Sequence, residues 1–526
     1  MMTVVPPETK GLRARVPLYV RVSILMIMGG MLFGLDTGTI GPVTAMSSFE
    51  ASFGSFSATI HGVVVSSILI PAALSSLITG NVADLYGRPR TIMFGAAVFG
   101  IGAAIEAASN NLGAFIAGRV ITGIGEGFFL SVLVVYVCEI SPAKRRGPLA
   151  SLPQFGTTIG IAAGYFIAYG TSTIDSSASW RVPLAFQSFM ALSFAVSCTL
   201  VPPSPRWLLA KGRAKEAAQT LARLGIPSSE LDESFQVSTE PEPEPDAQDA
   251  QPTLRENIRA TFRDLMKAFA PGVRKRTFLG CFIMGMQQLA GIDGVLYYAP
   301  LLFTQAGLSS EQASFLASGV SALVIFATTI PAMSFADHLG RRPSTIYGGL
   351  GLAGTMFLIG SLYASNSVHG DHGAGRWVVI VTIYLFAIIF SGSWAIAFKV
   401  YASEIQPIET RASASSLAQS TNWFANFVVA LTTPVFLAHS SYGVYFFFGA
   451  CSLFTVVVCA VAMPETRGRT LETIDASFDH HAWLGTKSRP PSQAPPTPAV
   501  GSETNSVVMQ VVTPKQDGNA LPSSTA

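Results

Sequence analysis

The stretch ADLYGRPR (Ala83 to Arg90) joins two long apolar runs of this chain, and it returns in the second half as ADHLGRRP (Ala336 to Pro343). A second pair keeps the same order, because EISPAKRRG (Glu139 to Gly147) returns as EIQPIETRA (Glu404 to Ala412). In each half the first motif follows the second apolar run, and the second motif follows the fourth. The repetition predicts two halves of similar structure.

The apolar runs identify the class of fold. Of the 526 residues, 49% are hydrophobic and only 12% are charged, and the mean hydropathy is +0.45. Twelve runs have roughly the 20 residues that a helix needs to cross a bilayer. We therefore predict an all-α membrane protein with twelve transmembrane helices in two six-helix pseudo-symmetric halves. The predicted spans are 20–40, 60–80, 91–108, 112–137, 151–170, 182–201, 277–298, 314–335, 344–363, 377–401, 412–437 and 442–463.

The distribution of Lys and Arg predicts how the spans are oriented. Neither residue occurs from Val22 to Gly87, and beyond Gly87 the basic residues gather in every second loop. The positive-inside rule assigns such loops to the cytoplasm. Both termini and the long central loop are then predicted to be cytoplasmic, in a multi-pass protein of the plasma membrane.

Composition divides the chain into five segments. Two helical bundles, 20–201 and 277–463, are separated by a linker (202–276) and flanked by an N-terminal segment (1–19) and a tail (464–526). The linker contains EPEPEPDAQDAQ and the tail contains RPPSQAPPTPA. Such sequences cannot bury an apolar core, so we expect the linker to be partly disordered and the tail mostly so. We expect no removable signal peptide before the first span.

Several classes of function are excluded. The five cysteines lie in apolar runs at spacings that fit neither a metal site nor a disulfide framework. No phosphate-binding loop of the form Gly-x-x-x-x-Gly-Lys-Ser/Thr occurs, which argues against an ATP-driven pump. No basic patch suits nucleic acid, and no catalytic constellation suits an enzyme. We expect no cofactor and no metal, and a functional monomer in a lipid bilayer.

Eight motifs together resemble those of the sugar porter family of the major facilitator superfamily, and the resemblance covers nearly the whole membrane body. It implies an all-helical carrier of hexoses, pentoses, polyols or related small polar molecules, often together with a proton. The motifs, in order, are GGMLFGLDTGTIG (29–41), GNVADLYGRPR (80–90), GRVITGIGEG (118–127), PPSPRWLL (202–209), QQLAGIDGVLYYAP (287–300), FADHLGRRP (335–343), YASEIQP (401–407) and PETRGRTLE (464–472).

Asp36 and Arg119 are the candidates for proton coupling. At a rise of ~1.5 Å per residue their depths in spans one and four agree, so a buried ion pair is expected. The resemblance implies a coupling role for such a pair, and a purely structural ion pair is the alternative. Glu126 lies seven residues after Arg119, on the same helix face. It either belongs to the same titrating network or hydrogen-bonds within the bundle.

Amide and aromatic side chains are the candidates for substrate binding. The resemblance implies this role for Gln154, Gln287, Gln288, Tyr297, Asn422 and Trp423. Amides suit a hydroxyl-rich ligand because each offers both donors and acceptors. Interhelical packing is the alternative role for these amides. Gly291 and Gly294 would let span seven break and move as a gate.

Two positions depart from the family pattern. Asp293 stands where the span-seven motif usually has Asn, and Lys399 stands where a sugar-stacking Trp is usual. Trp394 could supply the lost ring. Lys399 could snorkel to the cytoplasmic surface, form a buried pair, or recognise an anionic, acceptor-rich substrate such as a sugar acid. We expect Asp293 and Lys399 to lie roughly 15–20 Å apart along the bilayer normal unless span ten unwinds at Ser391 to Ser393.

Charged residues at the cytoplasmic helix ends are the candidates for gating. Carboxylates and guanidiniums there can form a network of ion pairs that parts when the halves move, or they can anchor the topology alone. Pro203 replaces the usual acid of the motif after span six, so a weaker lock is expected in the first half. The gating candidates are Asp84, Arg88, Glu139, Arg146, Asp337, Arg341, Glu404 and Arg411.

These features predict a secondary transporter of a small hydroxyl-rich solute, whether sugar, polyol or sugar acid. We expect alternating access and proton-coupled symport. One alternative is a transporter of a specialised metabolite on the same scaffold. The other is a sugar sensor that does not transport, which is disfavoured because such a sensor would signal through a long cytoplasmic extension.

Overall fold

A computed structural model describes residues 16–142, 145–226, 263, 265–308, 310–369, 373–407, 410–467 and 478. Side chains are not described for residues 311, 312, 333–339 and 412. The regular structure of the described residues is helical throughout. The acidic stretch of the linker, the proline-rich part of the tail and the side chain of Asp337 lie outside the described residues.

The helices form twelve spans, as predicted. Eleven helical segments of the described chain are long and apolar enough to cross a membrane, and the 20-residue helix Leu152–Thr171 completes the set. Spans one to twelve are Leu18–Ala45, Ala58–Tyr86, Arg88–Ala108, Leu112–Ile140, Leu152–Thr171, Ala178–Cys198, Arg274–Tyr297, Glu311–Leu339, Arg341–Ala364, Gly375–Glu404, Arg411–His439 and Gly443–Ala462.

Four spans consist of two helices joined by a short break. Span one divides into Leu18–Leu25 and Ile27–Ala45, and span two into Ala58–Ser66 and Leu69–Tyr86. Span seven divides at Gly291 and span ten at Ser393. Among the described residues, five short helices lie outside the spans, at Ser47–Phe53, Arg146–Ala150, Pro205–Ala210, Ala214–Leu224 and Ala299–Gln305.

Span five is less apolar than the others because it is rich in glycine and threonine. Its glycines let it pack closely against span one. A methyl group on Gly156 would overlap the carbonyl oxygen of Ile27, and one on Gly34 of span one would overlap that of Thr157. Small residues at a helix interface permit this backbone approach in membranes. Span five therefore contributes packing within the first half more than lipid-facing surface.

The two halves pack closely against each other at one end of the bundle, which we call the distal end. A shared apolar cluster there, the distal seal, contains Ile40, Val64 and Ile68 from the first half with Tyr297, Tyr298 and Ala430 from the second. Glycines again allow the contact, since a methyl group on Gly41 would overlap the Tyr297 carbonyl and one on Gly62 would overlap that of Leu431. The hydroxyl of Tyr165 also donates to the carbonyl of Leu296. The halves are therefore closed against each other at the distal end.

The opposite end, which we call the basic end, carries the repeated charged motifs. In the first half Arg88 contacts Asp84 at 2.7 Å and Glu139 at 3.1 Å. In the second half Arg341 contacts Glu404 at the same 3.1 Å. The pair of Arg88 and Glu139 in the first half is thus repeated as the pair of Arg341 and Glu404 in the second.

The tail and the linker pack onto these motifs. The carboxylate of Glu465 accepts from the backbone N–H groups of Arg341 and Arg342, where span nine begins. In the first half the indole of Trp207 donates to the carbonyl of Asp84 at 2.8 Å. Trp207 belongs to the helix that follows Pro203, the position at which the family motif usually has an acid. A tryptophan that packs and hydrogen-bonds against the first charged motif therefore lies close to that position.

Candidate functional site

Span seven breaks in the middle of the second half because of one glycine. Gly291 has φ +93°, and a side chain there would overlap the ring of Phe448. Only glycine adopts this backbone without strain. The break places the short helix Ile292–Tyr297 beneath the distal seal, with Gln287 and Gln288 in the turn before it. Gly294, by contrast, lies within that short helix.

Three amides of spans seven and eleven form one hydrogen-bonded cluster. Asn422 donates to Gln287 Oε1 at 3.0 Å, and Gln288 donates to Asn422 Oδ1 at 3.1 Å. Gln287 in turn donates to the carbonyl of Trp394, on span ten, at 2.8 Å. The Oε1 atom of Gln288 is buried without a hydrogen-bond partner in the described part of the chain. One acceptor of the cluster is therefore available to a ligand.

Two aromatic residues near this amide cluster, Tyr297 and Trp423, belong to the distal seal. The hydroxyl of Tyr297 accepts from Asn426 at 3.3 Å. Trp423 packs edge-on against Phe33 of span one, with 5.7 Å between ring centroids. Both rings are almost fully buried. They cover the amide cluster on the side where the halves are closed.

Lys399 reaches from the second half to the first. Its Nζ donates to Oε1 of Gln154, on span five, at 2.9 Å. The side chain is exposed although it lies within span ten, so it faces open space between the halves. We call this space the cleft. A snorkelling lysine would extend towards the basic end, whereas Lys399 bridges the cleft.

Asp293 and Lys399 lie on the two interrupted spans of the second half. The carboxylate and the ammonium are within electrostatic range of each other without forming an ion pair, and Gln288 is within hydrogen-bonding range of Asp293. The predicted separation of roughly 15–20 Å along the bilayer normal assumed continuous helices. Span ten is interrupted at Ser393, where φ is −129° and ψ is −80°. This break lies in the segment Ser391 to Ser393, where the sequence allowed for an unwound span ten.

Trp394 does not replace the missing aromatic ring. It is fully buried within the second half, stacks on Phe398 and donates its indole N–H to the carbonyl of Thr345. A methyl group on Gly349 would contact the same indole. The ring therefore fills the interface between spans nine and ten and faces away from the cleft.

Asp36 and Arg119 form an ion pair in the interior of the first half. Oδ1 of Asp36 lies 2.5 Å from a guanidinium nitrogen of Arg119, which is fully buried. Arg119 also donates to the carbonyl of Val65, and Gln187 of span six donates to Asp36 at 3.1 Å. The pair therefore joins spans one, two, four and six. A proton bound by the Asp36 carboxylate would neutralise the anionic partner of Arg119.

Two further acids lie beside this pair. Glu126 is buried, and its Oε1 has no hydrogen-bond partner among the described residues. Glu106 of span three is fully buried, 3.8 Å from Arg119. The sequence analysis missed Glu106 and Gln187. An acid within an apolar run is a sequence signal for a functional site. Glu106, however, stands near the end of its run, where an acid is expected at the membrane–water interface.

The remaining gating candidates lie at the basic end. Arg411 donates to the carbonyl of Gln406 at 3.2 Å. Arg146 begins the short helix before span five. The five cysteines are free, and no group of residues in the described ranges could hold a metal ion. The site is thus a polar cleft between two halves with a buried charge cluster beside it.

Such an arrangement defines a membrane carrier of two six-helix halves. The chain belongs to the sugar porter family of the major facilitator superfamily, since the family model described as sugar (and other) transporter matches residues 22–478. The protein is a membrane transporter and not an enzyme.

Relatives and solved structures agree with this family. The chain is 30% identical to a high-affinity glucose transporter of Kluyveromyces lactis, over 86% of this chain and 84% of that protein. It is 32% identical to a high glucose sensor of Saccharomyces cerevisiae, over 87% of this chain and 60% of the sensor. The partially occluded, inward-open xylose transporter XylE of E. coli shares the fold at a TM-score of 0.69 and 24% identity, over 86% of this chain and 99% of XylE.

Proposed function

We propose that this protein carries a small hydroxyl-rich solute across the plasma membrane by alternating access, together with a proton. The solute is a sugar, a polyol or a sugar acid. The buried pair of Asp36 and Arg119 beside the cleft is the observation that carries the proposal. The named glucose transporters among the relatives support the sugar class.

The geometry of the cleft supports recognition of hydroxyl groups. Gln154 reaches Lys399 across the cleft, and Gln287, Gln288 and Asn422 form a buried amide cluster in the second half that we expect to contribute to the site. A solute with several hydroxyls can exchange hydrogen bonds with donors and acceptors on both sides. Binding would then draw the two halves together around the solute, which is the step that alternating access requires.

The ion pair supports coupling to a proton. Breaking a buried pair leaves an uncompensated charge, at about 3–5 kcal/mol. Protonating Asp36 would therefore bias the first half towards another packing. Sealing of the distal end fits a state that is open towards the basic end, which we assign to the cytoplasm together with both termini. A single chain contains both halves of the cleft, which supports a functional monomer.

Proteoliposomes containing the full-length protein test this function. We expect accumulation of at least one solute from a panel of D-glucose, D-xylose, an inositol, D-glucuronate and quinate, driven by a pH gradient that is acidic on the side of uptake. Asp36→Asn should abolish accumulation against the gradient but retain exchange of solute across the membrane. The matched control is Glu216→Gln, because Glu216 pairs with Arg213 on an exposed helix.

Two results would contradict the proposal. Accumulation that persists in Asp36→Asn would remove the coupling role. Binding of a sugar without any flux, in either direction, would favour the sensor that does not transport. The sensor of S. cerevisiae is matched over only 60% of its own length.

A second candidate solute is favoured by Lys399. The ammonium faces the cleft and is bonded to Gln154, a residue implied in substrate binding. An ammonium binds a carboxylate more strongly than a hydroxyl. The alternative is therefore a carrier of a carboxylated sugar or a specialised hydroxy acid on the same scaffold.

A further inference from the structure

Glu106 shares one guanidinium nitrogen of Arg119 with Asp36. Oε2 of Glu106 is 3.8 Å from that nitrogen, and Oδ1 of Asp36 is 2.5 Å from it. The other oxygen of Glu106, Oε1, accepts from Thr122 at 2.6 Å. Oε2 is buried without a hydrogen-bond partner in the described chain. One carboxylate thus holds Arg119, and a second is oriented beside it.

The count of charges makes this arrangement sensitive to a single proton. With Asp36 and Glu106 both ionised, the trio carries one net negative charge, and one bound proton makes it neutral. The side chain of Asp36 is 6% exposed, whereas those of Glu106 and Arg119 are 0% exposed. Asp36 is therefore the most solvent-accessible member of the trio. Glu126 is buried beside the trio, and its Oε1 has no hydrogen-bond partner among the described residues.

We propose that Glu106 is a positioning residue that receives Arg119 when Asp36 is protonated. The ion pair changes partner from Asp36 to Glu106, and the buried guanidinium is never left without a carboxylate. The proton enters at Asp36 and leaves from Asp36, so one proton moves per cycle. This inference rests on the proposed proton coupling. It assigns to Glu106 the role of holding Arg119 while Asp36 carries the proton.

The partner change would release span one alone. A methyl group on Gly118 would lie 2.6 Å from Glu106 Cγ, and one on Gly102 would overlap the backbone of Thr122. Spans three and four are therefore packed as one unit that holds both Glu106 and Arg119. Asp36 belongs to span one, which contacts that unit through the ion pair and through Leu133 of span four, which lies against Gly29. Moving Arg119 onto Glu106 would keep the unit intact and remove the ion pair between it and span one.

Span one also contacts the distal seal. Gly41, five residues after Asp36, lies against the carbonyl of Tyr297. The hydroxyl of Tyr297 is within electrostatic range of both Asp36 and Glu126. Release of span one would therefore loosen the contact between the halves at the distal end. Protonation of Asp36 in the first half would in this way affect the distal seal, to which the second half contributes Tyr297.

Charged and polar groups face Glu106 from each neighbouring span. Span one contributes Asp36, and span four contributes Arg119, Thr122 and Glu126. From span six, Arg181 donates to the backbone carbonyls that follow Glu106, at 2.6 and 2.8 Å. Arg181 thus caps the end of span three, and Arg119 is the cation that Glu106 itself contacts.

Hydrogen–deuterium exchange of the full-length protein in lipid nanodiscs tests the inference without any solute. Exchange in span one, corrected for the intrinsic effect of pH, should rise as the pH falls. In Glu106→Gln the transition should move at least one pH unit lower, a tenfold higher proton concentration, because protonated Asp36 then leaves Arg119 unbalanced. Glu106→Asp should restore the transition, and the control Glu216→Gln should not move it.

A structure of the Asp36→Asn variant gives a second, independent readout. The new amide imitates a protonated carboxyl, so Arg119 should move to hydrogen-bonding distance of Glu106. The inference is overturned by an unchanged or absent transition in exchange, or by an Arg119 that stays on residue 36. Either result can occur in a protein that accumulates solute on a pH gradient, whereas loss of that accumulation in the wild type would overturn the proposed function instead.

Discussion

Lys399 is one of the positions at which this chain departs from the motif pattern of the family. A lysine within a membrane span is unfavourable unless water, a partner or a ligand compensates the charge. Here the compensation comes from Gln154 and, at longer range, from Asp293. Neither neutralises the ammonium as fully as a carboxylate in direct contact. The position is therefore prepared for an anionic group, which would displace the bond to Gln154.

Replacement of Lys399 distinguishes the two classes of solute. If the solute is a carboxylate, Lys399→Gln should weaken its binding about ten- to a hundredfold, since a hydrogen bond to a charged group contributes roughly 1.5–3 kcal/mol. Uptake of D-glucuronate and quinate should fall, and that of neutral sugars should change little. Competition uptake in proteoliposomes measures both. Lys211→Gln, in the exposed linker, is the matched control. An equal loss for neutral and acidic solutes would contradict the anion hypothesis.

At the scale of single elements, the break in span seven has a clear physical cause. The positive φ of Gly291 ends one helix and starts the next, and it brings Gln287 and Asp293 to the two sides of the turn. Phe448 packs directly against the glycine. The short helix after the break carries Tyr297 into the distal seal, so the element that we propose to bind solute also contributes to the closed end.

A methyl group at the break should damage both stability and transport. Gly291→Ala combines backbone strain of about 1–3 kcal/mol with overlap on Phe448. We expect a melting temperature several degrees lower in detergent and a strongly reduced rate of solute exchange. Gly354→Ala, inside span nine with open space around it, should be neutral or slightly stabilising. Equal stability of the two variants would show that the break does not depend on glycine.

At the scale of the whole molecule, the halves are held together by close contact at the distal end. The contact depends on small residues, since Gly41 and Gly62 admit backbone carbonyls of the other half. The apolar seal around them excludes water from that end. The ion pairs of the basic end lie within each half and therefore brace the halves separately. The halves are thus closed by packing at the distal end, and the ion pairs at the basic end do not prevent the halves from moving apart there.

Adding bulk at the distal seal should shift the molecule towards the state that is open at that end. Gly62→Val would overlap the carbonyl of Leu431 in the closed state. We expect a cysteine introduced by Ala430→Cys, which is fully buried in the seal, to react at least tenfold faster with a membrane-impermeant maleimide. Gly80→Val, in the same span but with open space around it, is the control. Labelling at the same rate in both backgrounds would refute this view of closure.

The sequence by itself determined the number of spans and the two-fold repeat, and it singled out the residues of the amide cluster and of the buried ion pair. These features depend on the length of apolar runs and on motifs that are local along the chain. Tertiary structure alone placed Lys399 against Gln154, turned Trp394 away from the cleft and added Glu106 and Gln187 to the buried pair. Such contacts depend on helix rotation, on breaks at single residues and on glycines that set how closely spans approach. These features are determined by how segments far apart in the sequence pack together, so the pattern of residues along one segment does not predict them.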